Sequence, residues 1–554
     1  MTTVDAGSRP ARRASPLGGA ISRRLLAETR LTRRELAITA LALALLAAVT
    51  FQSHIRLGGF HADDWGVLLL VKFPPHPGSG LIHAIQSVWP YYGRRPGEAV
   101  WYAIVDLSFG YDASAQLALA AAMLVAAVVA IFALLRTVGM ATLHAAAIAA
   151  LILVFPFSDS LWLWAIQSMA TLTIVLYVGG LLLALRAFSS SGRRAVALHA
   201  ASIALYVIAL LSYEWFAVIA CIAGLLYVQR AGWRRAWPRW LLDLVAIVAA
   251  LAVGRFALHD LVTPYKPQPL SGTLHHAGAI ATAGAQIIAS AAVPFGSLDY
   301  RIVLAALAAL VAIAALRRAL SAGTDPVRAT LGHWLVVAGI GLLIAAAAWA
   351  IFVPGISSYS PSATGTGNRV NGLAGIGVVI FLYASAMLLG TLLTSARRTG
   401  SSATVVALAF VAFAGTGYLQ HAHADAQVWN RAASVQRRLL SSLHRLVPRP
   451  PPRSRFYAYD FRTGVIATVP VFDYPWEFSS AIKSSYSNGS LGGVVVGART
   501  QWKCRRNLAS AYNGGYSSAV GADYGRAYLI DIDRQRATTL LGAAQCRQVT
   551  LGLR

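Results

Sequence analysis

The sequence has 554 residues, 57% of them hydrophobic and only 12% charged, with a net charge of +26 and a mean hydropathy of +0.59. A soluble globular chain carries about 25% charged residues, so this one has too little polar surface to face water on all sides. Its basic excess does not point to nucleic acid, because most Arg residues fall in loops and tails between apolar runs, where they set membrane orientation.

Four Lys against more than forty Arg, with heavy Ala use, fits a GC-rich bacterial genome, and a multi-pass chain of that origin is expected in the inner membrane. About 20 residues at 1.5 Å rise cross a 30 Å hydrocarbon core, so apolar runs near that length read as spans. The first 35 residues are polar and Arg-rich, and no cleavable leader is expected. Helix 1 is expected over Leu36–Phe51 and is retained. A mixed stretch follows, with His61-Ala-Asp-Asp-Trp65 and Gly93-Arg-Arg-Pro96, and then a short interfacial helix over Trp101–Phe109.

Further spans are expected over Ala115–Leu135, Ala141–Phe157, Leu161–Leu185, Ala195–Leu211, Trp215–Val228 and Trp240–Leu258. Gly278–Val293 reads as re-entrant or interfacial. The last spans are Ile302–Leu316, Leu331–Phe352, Leu373–Leu393 and Ala403–Leu419. With the N-terminus inside, Arg136, the Arg186–Arg194 and Arg230–Arg239 loops, Arg317-Arg318 and Arg397-Arg398 all fall on the cytoplasmic side. The fold class is thus an all-α polytopic bundle of about eleven transmembrane helices. Its segments are a cytoplasmic basic stretch (1–35), a membrane domain (36–420) whose first outer loop covers 52–114, and a small extracytoplasmic α/β or β-rich domain (421–554).

That last segment opens with a polar helical stretch to His444 and Pro448-Arg-Pro-Pro-Pro452. Strand-like runs follow at Phe456–Phe461, Val465–Val471, Leu491–Val496 and Ala527–Ile532, separated by Gly and Asn-Gly turns. Cys221 lies in an apolar run and reads as a small core residue. Cys504 and Cys546 are the only two cysteines of the tail, and an oxidising compartment would let them pair.

Asp63 and Asp64 just beyond helix 1 are the sharpest chemical signal. Neighbouring carboxylates repel and call for a cation, a base role or a basic partner, and Lys72, Arg94 and Arg95 are near in sequence. The pair reads either as a general base beside a phosphate-binding cluster or as an acidic helix N-terminus.

The Phe-His-Ala-Asp-Asp-Trp loop, followed by Gly-Arg-Arg-Pro and opening a many-helix membrane chain, resembles the GT-C fold glycosyltransferases. The resemblance covers residues 30 to 420. It implies a polyprenyl-phosphate sugar as donor, with Asp63 or Asp64 as the base and Arg95-Pro96 as the match to the family's Arg-Pro. It also implies that Arg369, which ends the Ser/Gly/Thr-rich stretch Ser357–Asn371, holds the donor phosphate with Arg94, Arg95 and Lys72.

Glu214 occupies an outer turn where similar proteins carry Ser-Lys-Glu-like motifs, with Tyr213 here in place of Lys. His61, Glu214, His275 and His276 are further site candidates, and Tyr474 and Trp476 are candidates for stacking an acceptor sugar. A divalent cation (Mg, Mn or Ca) would fall on Asp63 and Asp64. Trp162 and Trp164 read as interface anchors. The expected activity is inverting transfer of a sugar, arabinofuranose or mannose among the options, to a cell-envelope polysaccharide, glycolipid or protein. The alternatives are an O-antigen ligase or polysaccharide polymerase, or a lipid-linked sugar transporter.

Overall fold

The computed structural model describes residues 31–74, 78–259, 269–295, 325–355, 359–394, 401–459, 464–466, 469–472, 475–496, 500–513 and 520–551. It is a bundle of helices with a small strand-containing domain built onto one end, here called the domain end. Among the described residues, eight helices are long and apolar enough to cross a membrane. The expected span Ile302–Leu316 lies outside the described residues.

Helix α1 (Arg33–Leu57) starts at Thr32, whose side chain accepts from the Glu35 amide. Glu35 pairs with Arg136 at the far end of α5 (Ala113–Thr137) and accepts from Thr142 at 2.7 Å. This ion pair ties the helix ends opposite the domain. Between α1 and α5, the short helices α2 (Asp63–Lys72), α3 (Leu81–Tyr92) and α4 (Pro96–Phe109) stay at the domain end. Pro96 suits a first helical position, where its missing N–H costs nothing, so α4 begins earlier than the expected Trp101.

The largest departure from expectation is at residues 154–167. Two full spans were expected to flank a loop there. Instead α6 (Thr142–Leu153) has 12 residues, about 18 Å at 1.5 Å per residue. The chain then makes a 3₁₀ turn over Pro156–Ser158, the single turn α7 (Ser160–Leu163), another 3₁₀ turn over Ala165–Gln167, and enters α8 (Ser168–Phe188). Pro156 has no N–H and biases the residue before it out of the helical region. The whole segment is buried, and irregular backbone at this depth is tolerated only where protein encloses it. Trp162 and Trp164 are accordingly core residues at 2% and 1% exposure rather than interface anchors.

Helices α9 (Gly192–Ser212), α10 (Ile219–Ala231) and α11 (Trp233–Ala252) follow, the last ending in a π turn over Val253–Ala257. Helix α12 (Leu270–Ala292) is one uninterrupted rod of 23 residues, with no reversal of the kind a re-entrant segment makes. Helices α13 (Asp325–Ala350) and α14 (Gly372–Thr394) pack closely. A Cβ on Gly377 would fall on the Gly341 carbonyl and 2.5 Å from the Ala345 nitrogen. Helix α15 (Ser401–Leu446) is continuous for 46 residues, about 69 Å, so the expected boundary at residue 420 falls inside a helix. Its outer half carries the bundle's packing into the small domain.

Besides an antiparallel pair of short strands, β2 (Gly464–Ile466) and β3 (Val469–Pro470), that domain has a four-stranded sheet in the order β4-β1-β8-β9. Strand β1 (Arg455–Tyr459) runs parallel to both β4 (Gly492–Val495) and β8 (Ala527–Asp531), and β9 (Arg536–Leu540) is antiparallel to β8. Helix α16 (Pro475–Ser485) lies between β1 and β4 in the chain. An antiparallel sheet of β5 (Thr500–Cys504), β6 (Leu508–Asn513) and β7 (Val520–Asp523) packs beside it, bridged by Tyr457, whose hydroxyl reaches the Ala509 and Val520 carbonyls at 3.1 and 3.0 Å. Cys504 and Cys546 are joined as a disulfide with Cα atoms 5.8 Å apart, pinning α17 (Ala543–Leu551) to β5.

The domain shares its core with the bundle. Val447, Phe456, Phe472 and Phe478 belong to the same apolar cluster as the membrane helices, and α16 packs along α2. A Gly377→Leu substitution should therefore force α13 and α14 apart. Overpacking typically costs about 1–3 kcal/mol, and the expected result is a thermal midpoint in detergent several degrees below wild type. An unchanged midpoint would mean that the close approach at Gly377 is not a constraint.

Candidate active site

Asp63 and Asp64 are adjacent in sequence and differ in role. Helix α2 starts at Asp63 after Ala62, which adopts φ +46°, a left-handed conformation uncommon for a residue with a Cβ. Such strain costs about 1–3 kcal/mol and persists only where surroundings over-determine it. Here they do: the Asp64 Oδ2 accepts from the His61 amide and its Oδ1 accepts from the Ile166 amide, both at 2.8 Å. The Trp164 indole donates to the His61 carbonyl at 2.9 Å. Asp64 is thereby a buried backbone tie between the first loop and the broken segment 154–167.

Asp63 faces the other way, into a cleft of about 100 Å³. Tyr92 of α3 and Arg95, Glu98 and Tyr102 from the start of α4 line one wall. Gln167, Met169 and Ala170 at the start of α8 line another, and Tyr213, Tyr359 and Arg369 close it. A liquid water occupies about 30 Å³, so the enclosed part holds a phosphoryl-sized group, and anything larger extends out of the opening.

Both arginines are held in place. Arg95 makes a two-point contact with Glu214, Nε to Oε1 at 3.0 Å and Nη2 to Oε2 at 2.9 Å, and its Nη1 reaches Glu98 at 3.3 Å. Tyr102 donates to the other Glu98 oxygen at 2.6 Å, and the Arg95 guanidinium lies over the Tyr213 ring at 4.7 Å. Arg369 lies over the rings of Trp164 and Tyr359 at 5.1 and 5.5 Å.

The backbone of Arg369 is a 3₁₀ turn (Thr366–Asn371) fastened by two fully buried amides. Asn368 donates to Asp159 at 2.6 Å and accepts from the Ser160 amide at 3.1 Å. Asn371 donates to the Phe157 and Ser362 carbonyls at 2.7 and 2.8 Å and accepts from Trp349 at 3.1 Å.

Burial raises the pKa of Asp63, and Arg369 opposes that shift. Burial also pushes Asp64 well above the carboxylate range, against its two amide donors. Glu98 is raised by burial, with Arg95 and Tyr102 pulling it back. Burial works against the charge on Arg95, but Glu214 and Glu98 outweigh it and hold the guanidinium protonated. Asp106, two turns below Glu98 on α4, is pushed up to about 7 by burial despite a hydrogen bond from Gln116.

Of the residues singled out in the sequence, Asp63, Arg95 and Arg369 line the cleft, with Glu214 at its rim on Arg95. Several do not. Lys72 sits at the far end of α2, over the Tyr111 ring at 5.0 Å. The Arg94 carbonyl packs against Gly254, and its side chain is not part of the lining. His61 is fully buried, donates to the Pro470 carbonyl at 3.1 Å and is pushed down to about 3 by burial, so it is a neutral tie to the small domain. His275 is exposed on α12. His276 is buried and hydrogen-bonds Val353 O and Ser360 Oγ at 3.2 Å each, anchoring the stretch that carries Tyr359. Trp476 lies against Gly66 at the α16–α2 contact, and Tyr474 lies outside the described residues.

Among the described residues, no group of three or more His, Cys, Asp or Glu is placed to hold a metal ion. Asp64, whose oxygens accept backbone N–H bonds, and Asp63, which lines the cleft, face different ways, so the pair does not converge on a shared cation. Glu98, Tyr102, Tyr359 and Gln167 were not singled out. For the first two the signal was present: Arg95, Glu98 and Tyr102 stand three and four apart at the start of a helix, the spacing that brings side chains together.

Asn368 is the residue whose loss would free Arg369. Asn368→Ala leaves Asp159 and the Ser160 amide without their partner, at about 1–3 kcal/mol, and should lower the thermal midpoint. Asn368→Asp should lower it further by setting a second carboxylate against Asp159. A variant as stable as wild type would show that this fastening contributes nothing.

No protein-family model and no curated protein matches the chain. The fold is similar to solved structures of ArnT from Cupriavidus metallidurans. In the apo state the likeness has a TM-score of 0.39 at 12% identity and covers 82% of this chain and 85% of the other. Bound to undecaprenyl phosphate it has a TM-score of 0.36 at 12% identity and covers 83% and 86%.

Proposed function

We propose that this chain is an integral-membrane glycosyltransferase that moves a sugar from a polyprenyl-phosphate donor to a hydroxyl of a cell-envelope acceptor. The observation that carries the reading is Asp63: a carboxylate aimed into a half-buried cleft beside Arg369 and Arg95, at the end of a bundle of apolar helices. A donor with a long apolar tail reaches such a cleft from the bilayer and presents only its phosphate and sugar there. The Arg clusters at 136, 186–194 and 230–239 belong to the opposite helix ends. By the positive-inside rule those ends are cytoplasmic, which turns the cleft and the small domain outward.

The reaction balances as a single displacement. Asp63 takes the proton of the acceptor hydroxyl as its oxygen attacks the anomeric carbon. The bond from that carbon to the phosphate oxygen breaks, and polyprenyl phosphate leaves with the electron pair. Attack opposite the leaving group inverts the anomeric centre. Arg369 stabilises the charge growing on the phosphate, with Arg95 alongside; preorganised charge of this kind is usually the largest catalytic contribution. A base with its pKa raised toward the working pH is more effective, and a positioned base contributes about 10²–10⁴-fold.

Purified protein is incubated with a panel of polyprenyl-phosphate sugars and an acceptor panel, and lipid products are read by mass spectrometry. Asp63→Asn should lower turnover by about 10²-fold or more with an unchanged thermal midpoint, whereas Asp64→Asn should lose stability first. Full turnover in Asp63→Asn would remove the base assignment.

Only ionised Asp63 accepts a proton, so activity falls as pH drops through its pKa. Burial places that acid limb above the ordinary carboxylate range. Arg369 opposes the shift, so Arg369→Gln should move the limb to still higher pH as well as lowering kcat. A limb unmoved in Arg369→Gln would show that Asp63 is not the group being titrated.

A further inference from the structure

The helix ends farthest from the cleft carry a cationic surface. Helices α8 to α11 bring seven arginines there: Arg186, Arg193, Arg194, Arg230, Arg234, Arg235 and Arg239. Over residues 186–239 the one carboxylate is Glu214, which sits at the cleft. The four ends are joined to each other. The Arg230 Nη2 donates to Ser189 Oγ at 2.7 Å, the Arg239 guanidinium lies over the Phe188 ring at 4.5 Å, and His199 meets Asp243 at 3.3 Å. Asp243 is buried and also accepts from Tyr227 at 2.7 Å, so it is turned into the bundle and does not neutralise the surface.

Three features go beyond a solvated basic rim. Helices α9 and α11 both begin without a side-chain cap and with paired arginines, Arg193-Arg194 and Arg234-Arg235, at the positive pole of the helix. Cations there are unfavourable, and an anion would satisfy both the arginines and the open N–H groups. At the inner edge of the surface Arg239 Nη1 is buried without a hydrogen-bond partner. Finally, Trp233 and Trp237 stand 60% and 45% exposed among these arginines. Exposed tryptophan at the end of a membrane span is at home at headgroup level, with the ring in the acyl boundary and the N–H outward.

We propose that this surface binds anionic phospholipids of the bilayer, their phosphodiesters at the level of Arg234, Arg235 and Arg239 around the start of α11 and upper acyl chains lying against Trp233 and Trp237. Guanidinium groups suit the phosphate geometry, and clusters of four to eight cations beside spans recognise anionic headgroups. The aromatic pair favours a lipid over a free anion, which would gain nothing from it.

The test is native mass spectrometry of the full-length protein in detergent, titrated with phosphatidylglycerol or with phosphatidylcholine of the same chains. Phosphatidylglycerol should be retained at roughly tenfold lower concentration than phosphatidylcholine, since basic groups beside a span attract net-anionic headgroups. The triple variant Arg234→Gln, Arg235→Gln, Arg239→Gln should bind both lipids alike, and the triple Lys variant should keep most of the preference. Where the triple Gln variant is not monodisperse, Arg239→Gln alone should still reduce the preference.

Equal retention of the two lipids by wild type, or a preference that survives all three Gln substitutions, would overturn the proposal. So would displacement of phosphatidylglycerol by millimolar inorganic phosphate, which would mark a free-anion site. Asp63→Asn should leave lipid retention unchanged, so the outcome is independent of the catalytic reading.

Discussion

A non-helical stretch of backbone buried in an apolar bundle must have its N–H and C=O groups satisfied by side chains, because no water reaches them. Residues 154–167 impose that requirement here, and the side chains that meet it come from all over the sequence. Asp64 accepts from Ile166, Asn368 from Ser160, and Asn371 donates to Phe157. His54 of α1 donates to the Leu163 carbonyl at 2.9 Å. An unsatisfied buried backbone group costs several kcal/mol in an apolar medium, so these contacts fix the relative positions of α1, the first loop and the 366–371 turn. The cleft is assembled as a consequence: Asp63 is next to Asp64, and Arg369 is next to Asn368.

This coupling explains why the paired acids are not equivalent. A residue whose two oxygens accept backbone amides is part of the frame, and its neighbour on the opposite side of the turn is free to face the cleft. The left-handed Ala62 is what lets the chain reverse sharply enough to divide them. The small domain reinforces the same turn from outside. His61 is tied to Pro470, Trp65 is packed near Phe472 at 6.3 Å, and Arg437 of α15 donates to the Leu57 and Gly58 carbonyls at 2.9 Å each. The domain is therefore structurally continuous with the loop that carries Asp63, and cutting it away would disturb the cleft before it disturbed anything the domain itself binds.

Much of the bundle was legible as hydropathy. The spans expected from Leu36, Ala115, Ala195 and Leu373 lie within the observed α1, α5, α9 and α14, because an apolar run bounded by Arg or by turn residues has few other ways to be satisfied in a membrane. Hydropathy says nothing about whether an apolar segment faces lipid or protein, which is why Trp162 and Trp164 read as surface anchors. Polarity likewise misled at residue 421. A helix that leaves the membrane and continues against a soluble domain turns polar on one side only, and Ala422, Ala426, Trp429 and Leu443 of α15 are buried. Asp63, Arg95 and Arg369, singled out in the sequence, line one cleft. Which acid faces the cleft depended on hydrogen bonds to Ile166, a residue in another element.

The two cleft arginines are held by different kinds of contact. Arg95 is clasped by Glu214 and Glu98, so beyond a few ångströms its charge is largely cancelled by theirs. Arg369 lies against the faces of Trp164 and Tyr359, which attract a cation through the ring quadrupole and carry no net charge of their own. At Asp63 the charge that opposes the effect of burial is that of Arg369. The rings help to orient the Arg369 guanidinium, and its charge acts on the carboxylate beside it and, in the proposed reaction, on a phosphate that enters there.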